Sequence, residues 1–246
     1  MIALFTDFGR NGPYQGQMKN ALYRAAPQIK VIDLMADAPS FNPYASAHLL
    51  ASLVADFAEG MVFLCVVDPG VGSDRESCIV YADGYWFVGP NNGLFSVIVE
   101  RSNDVRWWRI TWMPERLSST FHGRDLLAPV AAKLALDKAN IDALAEPSVD
   151  AKPILEKMAS SVIYIDDFGN MMTSILSKLL STKDQIDVNG ERLPYANTFS
   201  DCRPGQRFWY CNPQGLVEVA TNQGNASEYF GCKIGDRVIV IKSISS

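Results

Sequence analysis

The sequence predicts an α/β N-terminal domain with a central, mostly parallel sheet, followed by a small C-terminal antiparallel β-barrel domain. In the first part of the chain, strand-like apolar runs alternate with stretches of helical periodicity, the pattern of β/α units. The run Met61 to Val67 is apolar at every position, as a central strand covered on both faces requires. After a polar stretch carrying Pro147 and Pro153 the rhythm changes to short strands and turns with sparse helical periodicity, which reads as a small antiparallel barrel or sandwich. The expected division is 1–150 for the α/β domain, 151–159 for a linker and 160–246 for the barrel.

Taken in order, Ile2 to Thr6 reads as a strand, and Tyr14 to Ala26 as a helix with Met18, Leu22 and Ala25 on one face before Pro27 stops it. Ile29 to Leu34 is a second strand. Asn42-Pro43 is an N-cap and first-turn pair that opens a helix through Ala45, Leu49, Leu53 and Phe57, ended by Gly60. Met61 to Val67 is the third strand. Ser77 to Ala82 and Tyr85 to Val88 form a hairpin across Asp83-Gly84. Gly123 to Leu136 is one helix, followed by a short one near Ile141 to Ala145. In the second domain, strands are expected at Val162 to Ile165, Gln185 to Val188, Arg207 to Cys211, Leu216 to Ala220 and Arg237 to Lys242, with a turn at Asn189-Gly190.

Composition removes several function classes. The 246 residues are 48% hydrophobic, enough to fill a substantial core. A net charge of -5 spread without a basic run argues against a nucleic-acid partner. No apolar stretch reaches the roughly 18–20 residues of a membrane helix, and the N-terminus meets Asp7 too soon for a signal-peptide core; a cytoplasmic protein with no membrane contact is expected. The five cysteines contain no CxxC pair and read as buried thiols, and with two histidines the chain lacks the usual zinc ligand set, so no metal is expected.

The chemistry-bearing residues cluster at strand exits. Asp7 follows the first strand and Asp68 the third, where ligands bind in open α/β sheets, although Asp beside Gly or Pro is equally turn chemistry. Arg75, seven residues beyond Asp68 across Pro69-Gly70-Val71-Gly72, is a possible partner. His122 precedes a helix N-terminus, where it either acts on an electron-rich oxygen or only caps the helix. Arg124 and Asp125 read as a structural ion pair. Gly89-Pro90-Asn91-Asn92-Gly93 and Asp166 to Asn170 are further turns. PGVGSDR is not a Walker loop, and Asp-Phe-Gly at 7–9 and 167–169 lacks every other kinase element. These residues define a polar site without fixing its reaction; a carboxylate-metal hydrolase using Asp7 and Asp68 fits almost as well.

The motifs in this order resemble the S-adenosylmethionine hydroxide adenosyltransferase family, relatives of the fluorinases and chlorinases. The matching stretches are Thr6 to Gly9, Gly16 to Lys19, Val67 to Gly72 with Arg75, Gly89 to Gly93, Ser119 to Asp125 with Ala128 to Ala132, Asp166 to Asn170, and Glu218 to Ala220 with Gly224 to Ala226. The resemblance implies hydrolysis of S-adenosyl-L-methionine to adenosine and L-methionine by attack of water or hydroxide at C5′, with no cofactor, in a homotrimer whose active sites lie between subunits. It implies a catalytic set of Asp68, Arg75 and His122. It also implies substrate binding by Asp7 at the ribose, Phe41 at the nucleoside, Phe168 and Asn170 at the adenine side and Asp166 near the methionine, with Phe121 and Asn222 as further substrate-binding residues.

A neutral thioether leaves from a sulfonium, so alignment and an activated water are what an enzyme must supply. Arg75 is expected to lower the Asp68 pKa. The alternatives are a non-catalytic nucleoside-binding protein and an S-adenosylmethionine-dependent halogenase, the latter disfavoured because Asp68 repels a halide. The chain departs from the family pattern at Gly12, Met35-Ala36, Asn91 and Pro213.

Overall fold

A computed structural model describes residues 1–149 and 160–243. These fall into two compact units, within Met1–Leu155 and Glu156–Ser246; the expected linker at 151–159 lies outside the described residues.

The first unit contains β1 (Ile2–Thr6), α1 (Tyr14–Ala25), β2 (Val31–Met35), α2 (Pro43–Leu53), β3 (Val62–Val66), β4 (Ser77–Ala82), β5 (Tyr85–Pro90), α3 (Ser96–Arg101), β6 (Val105–Ile110), α4 (Ala128–Leu136) and β7 (Ala145–Pro147). Among the described residues its strands form one seven-stranded sheet in the order β2-β1-β3-β5-β4-β6-β7. The pairs from β2 to β5 are parallel, and β4 and β7 run against the other five strands. Ile2, Leu4, Val62, Leu64 and Val66 point to one face and meet Met18 and Leu22 of α1 and Val130 and Leu134 of α4. On the other face Phe63 stacks on Phe87 and meets Phe57 edge-on, while Phe87 contacts Phe95. Both faces of β3 are therefore covered, as its unbroken apolar sequence demands.

Three expectations shift. The helix read as running to Phe57 ends at Leu53 and continues only as a 3-10 turn, Val54–Asp56; Phe57 itself is extended and belongs to the aromatic core. The helix expected over 123–136 opens with a π-turn, Gly123–Leu127, before α4. Pro129 at the start of α4 has no N–H to give to an i−4 carbonyl, which eases the wider turn. β6 and β7 complete the sheet in a region where no strand is expected, and β7 occupies residues read as the approach to the linker.

The second unit contains β8 (Val162–Ile165), β9 (Met171–Leu176), β10 (Gln185–Val188), β11 (Glu191–Leu193), β12 (Arg207–Cys211), β13 (Leu216–Thr221), α5 (Ala226–Phe230) and β14 (Ile239–Ile241). Among the described residues the strands form two antiparallel sheets, β12-β13-β9-β8 and β11-β10-β14. Both contribute to one core that includes Val162, Met171, Ile186, Val188, Trp209 and Val219. The sequence predicts a small antiparallel β-barrel, but among the described residues the strands do not close into one. Single bridges, Tyr195 to Trp209 and Ser161 to Arg237, connect the sheet edges where closure would need continuous ladders. Among the described residues no helix is long and apolar enough to cross a membrane.

Candidate active site

β1 and β3 are adjacent and parallel with Thr6 opposite Val66, and the Asp7 amide donates to the Val66 carbonyl at 3.3 Å. This register delivers Asp7 and Asp68 side by side beyond the carboxyl ends of the strands. The chain then folds back: the Val71 amide donates to the Asp68 carbonyl and the Ser73 amide to the Gly70 carbonyl. Gly72 takes φ +84° and lies so close to the Ser119 carbonyl that an added Cβ would stand 2.6 Å from it. The turn returns Arg75 to Asp68, with Nη2 to Oδ2 at 2.7 Å and side chains only 7% and 5% exposed. Arg75 Nη1 also donates to Ser77 Oγ at 3.2 Å and to the Glu76 carbonyl. Among the described residues neither Asp68 Oδ1 nor Arg75 Nε has a protein partner.

The pairing does not lower the Asp68 pKa as expected. Burial pushes it above the ordinary carboxylate value, and Arg75, the Gly70 amide and His122 oppose that only in part. Asp7 is raised too, first by burial, with repulsion from Asp68 adding to it against the pull of the Phe41 amide. Two carboxylates facing one cleft cost energy that a ligand's donors can recover.

A cleft of about 370 Å³ brings together Asp7, Phe41, Asp68, Phe121 and His122, with Arg75 behind Asp68. Phe8 and Tyr14, absent from the sequence-based site, complete its aromatic wall around Phe121. Phe41 is 78% exposed and takes φ +58°, unusual for a bulky residue, while its amide donates to Asp7 Oδ2 at 3.2 Å. His122 occupies the cap position of the π-turn, yet its side chain makes no cap hydrogen bond and instead lines the cleft. Gly123 permits this placement by packing against Met18 Sδ and Val66.

In the second unit a cleft of about 510 Å³ is lined by Asp166, Phe168, Asn170, Phe199, Thr221 and Gln223. Asp166 shapes its rim: Oδ1 accepts from the Phe168 amide at 2.9 Å and the Asn170 amide at 2.8 Å, and Oδ2 accepts from Asn170 Nδ2 at 2.9 Å. Phe168 stands 77% exposed. Asn222 does not line this cleft; its Nδ2 donates to the Cys202 carbonyl at 2.7 Å and ties two loops together. Phe199, Thr221 and Gln223 are absent from the sequence-based site; the signal for Thr221 and Gln223 is the Thr-Asn-Gln-Gly turn at the end of β13, where Gln223 adopts φ +54°, while Phe199 lies on a separate 3-10 turn, Phe199–Asp201, and carries no such signal. Among the described residues no group of three or more His, Cys, Asp or Glu side chains is arranged to hold a metal ion.

The larger unit is thus an α/β domain with an acidic and aromatic cleft at its parallel strand ends, joined to a small, mainly β unit with a cleft of its own. The chain belongs to the SAM hydroxide adenosyltransferase family: the model of the family's N-terminal domain matches residues 2–145 and that of its C-terminal domain residues 160–239. A protein of Thermus thermophilus named (R)-S-adenosyl-L-methionine hydrolase is 33% identical, with 95% of this chain and 96% of that protein covered. The fluorinase of Actinopolyspora mzabensis is 25% identical, covering 99% of this chain and 97% of its own. An uncharacterised conserved protein of Thermotoga maritima has a crystal structure that superposes with a TM-score of 0.89 at 28% identity, over 98% of this chain and 100% of that one.

Proposed function

We propose that the chain hydrolyses S-adenosyl-L-methionine to adenosine and L-methionine. The observation that carries this reading is the buried Asp68–Arg75 pair opening with His122 into one cleft, in a chain whose full-length relatives are named (R)-S-adenosyl-L-methionine hydrolase. Water or hydroxide attacks C5′, the C5′–S bond breaks with its electron pair passing to sulfur, and the proton lost by the attacking water is taken up in the cleft. The leaving thioether is neutral, so the step needs no general acid and no cofactor.

In this reading Asp68, with Oδ2 held by Arg75, offers Oδ1 to the attacking water. Burial raises its basicity, which improves its match to that task. His122 is the second group that holds the nucleophile. Asp7 accepts from the ribose hydroxyls through the capacity its Phe41 contact leaves, and Phe41 and Phe121 face the nucleoside. Phe168 and Asn170 serve the adenine and Asp166 the methionine end, Asn222 acting through the loop that it ties. The proposal extends to a cytoplasmic homotrimer whose sites form between copies, and to domain limits of 1–150 and 160–246 with a linker between.

Asp68 favours hydrolysis over halide transfer, because a carboxylate in the cleft repels the incoming anion. A second reading, nucleoside binding without turnover, is favoured by Gly12, whose φ of +152° suits glycine where the family commonly has an aspartate. Incubating the purified protein with S-adenosyl-L-methionine and separating the products by chromatography tests both. Adenosine and methionine in equal amounts are expected; intact substrate at high enzyme concentration removes the hydrolase reading, and chloride- or fluoride-dependent loss of substrate to a halogenated nucleoside replaces it.

A further inference from the structure

The Arg124–Asp125 ion pair follows His122 directly in sequence, and the reaction proposed above does not use it. Arg124 grips both oxygens of its neighbour, Nε to Oδ1 at 2.6 Å and Nη2 to Oδ2 at 2.9 Å. Such a fork fixes both side chains, and each then bonds outward. Asp125 Oδ2 accepts from the Ser118 amide at 2.9 Å. Arg124 Nη1 donates to Gln17 Oε1 on α1 at 3.2 Å. The guanidinium carbon lies 5.0 Å from the centre of the Phe121 ring, which Phe8 and Tyr14 meet edge-on at 5.7 and 5.5 Å.

The pair therefore fastens three stretches at one point: the irregular loop before His122, the π-turn after it, and α1. Residues 111–121 contain no helix or strand, so regular backbone hydrogen bonding does not set that loop. The hydrogen bond from Arg124 holds the Asp125 carboxyl below the usual carboxylate range, and the Ser118 amide and His122 add to that.

We propose that Arg124 and Asp125 are positioning residues that hold Phe121 and His122 in register with Asp68 without touching the substrate. The assignment rests on the hydrolysis reading for its kinetic consequence only, since the placement of His122 is open to observation without substrate. His48 and His122 are the chain's two histidines, and His48 lies on α2 against Tyr44. Proton NMR of the imidazole ring signals thus reports His122 with His48 as internal reference.

The test uses the full chain carrying Asp125→Ala or Arg124→Lys, the latter keeping the charge while losing the fork and the flat face over Phe121. The expected result is a displaced His122 signal with His48 unmoved, adenosine binding weakened less than turnover, and turnover lowered about 10- to 100-fold. On a His122→Gln background the same substitutions should cost no further turnover. If Asp125→Ala does not fold, Arg124→Lys carries the test alone. The proposal is overturned if the His122 signal stays in place in a folded variant, if both histidine signals move together, or if the turnover losses at 125 and 122 multiply. Failure of the wild-type chain to hydrolyse its substrate would sink the hydrolysis reading, while the NMR shift would still decide the positioning role.

Discussion

Asp68 shows how residue-scale chemistry depends on its surroundings. From sequence, Arg75 beside it predicts a depressed carboxylate; in the fold, burial outweighs the guanidinium and raises it. The position at a strand exit was legible, but the sign of the shift was not, because desolvation comes from residues far away in the chain. Asp68→Asn should lower kcat by about 10²–10⁴-fold, with adenosine affinity nearly kept. Asp7→Asn should instead weaken adenosine binding by about 1.5–3 kcal/mol, read by calorimetry. In the wild type, the acid limb of kcat/KM should lie above the ordinary carboxylate range, and a limb at or below that range would remove Asp68 from its role. His48 provides a separate pH test. Burial, helped by Arg101, depresses its pKa to about 4, and among the described residues its Nδ1 has no hydrogen-bond partner. The unfolded imidazole binds its proton near pH 6.5 and the folded one only near 4, so between these values the unfolded chain holds more protons. Stability is full above pH 6.5 and falls as pH drops toward 4, by about 1–2 kcal/mol once partial exposure is allowed for. Urea melts of His48→Gln should lack that component of the acid loss; an unchanged pH dependence would contradict it.

At the scale of elements, the two loops that carry the site are held against each other by a backbone contact. Gly72 in the Asp68–Arg75 turn meets the Ser119 carbonyl of the loop before His122, and no side chain fits between them. Gly72→Ala should therefore cost about 1–3 kcal/mol in a urea melt, from the left-handed backbone and the close approach, and should also lower turnover. Gly190→Ala in the β10–β11 turn is the matched control: its φ is +88° with nothing within 4 Å of an added Cβ, so it should lose stability and keep turnover. Equal kinetic effects at both positions would refute the coupling of the loops. Elements differ in how openly their sequences declare them. β1, β3 and the β4–β5 hairpin do so through apolar runs and Asp83-Gly84, and Asn42 caps α2 as its sequence promises, its side chain accepting from the Ala45 amide. β6 was hidden because Val-Arg-Trp-Trp-Arg-Ile lacks the period-2 alternation of a half-covered strand, and the π-turn because Gly-Arg-Asp-Leu-Leu has ordinary helical composition.

For the whole molecule, each unit holds a cleft with part of the site proposed above. The first is lined by Asp7, Asp68 and His122, the second by Phe168 and Asn170. Turn chemistry made the first legible, since Asp7, Asp68 and His122 sit at strand and helix ends. Only the family resemblance pointed to the second, whose residues look like ordinary hairpin turns. If a working site combines the first unit of one copy with the second unit of another, damage to either can be repaired by assembly. Asp68→Asn and a Phe168→Ala/Asn170→Ala double variant should each be nearly inactive alone. Co-expressed with different tags and purified through both, they form mixed trimers in which roughly a third of the sites draw two intact halves. Turnover should recover to about that fraction of wild type, and light scattering should give the mass of three chains. Mixed assemblies no more active than their parents would mean that each copy builds its site alone, because chains that supply both halves to themselves gain nothing from a neighbour.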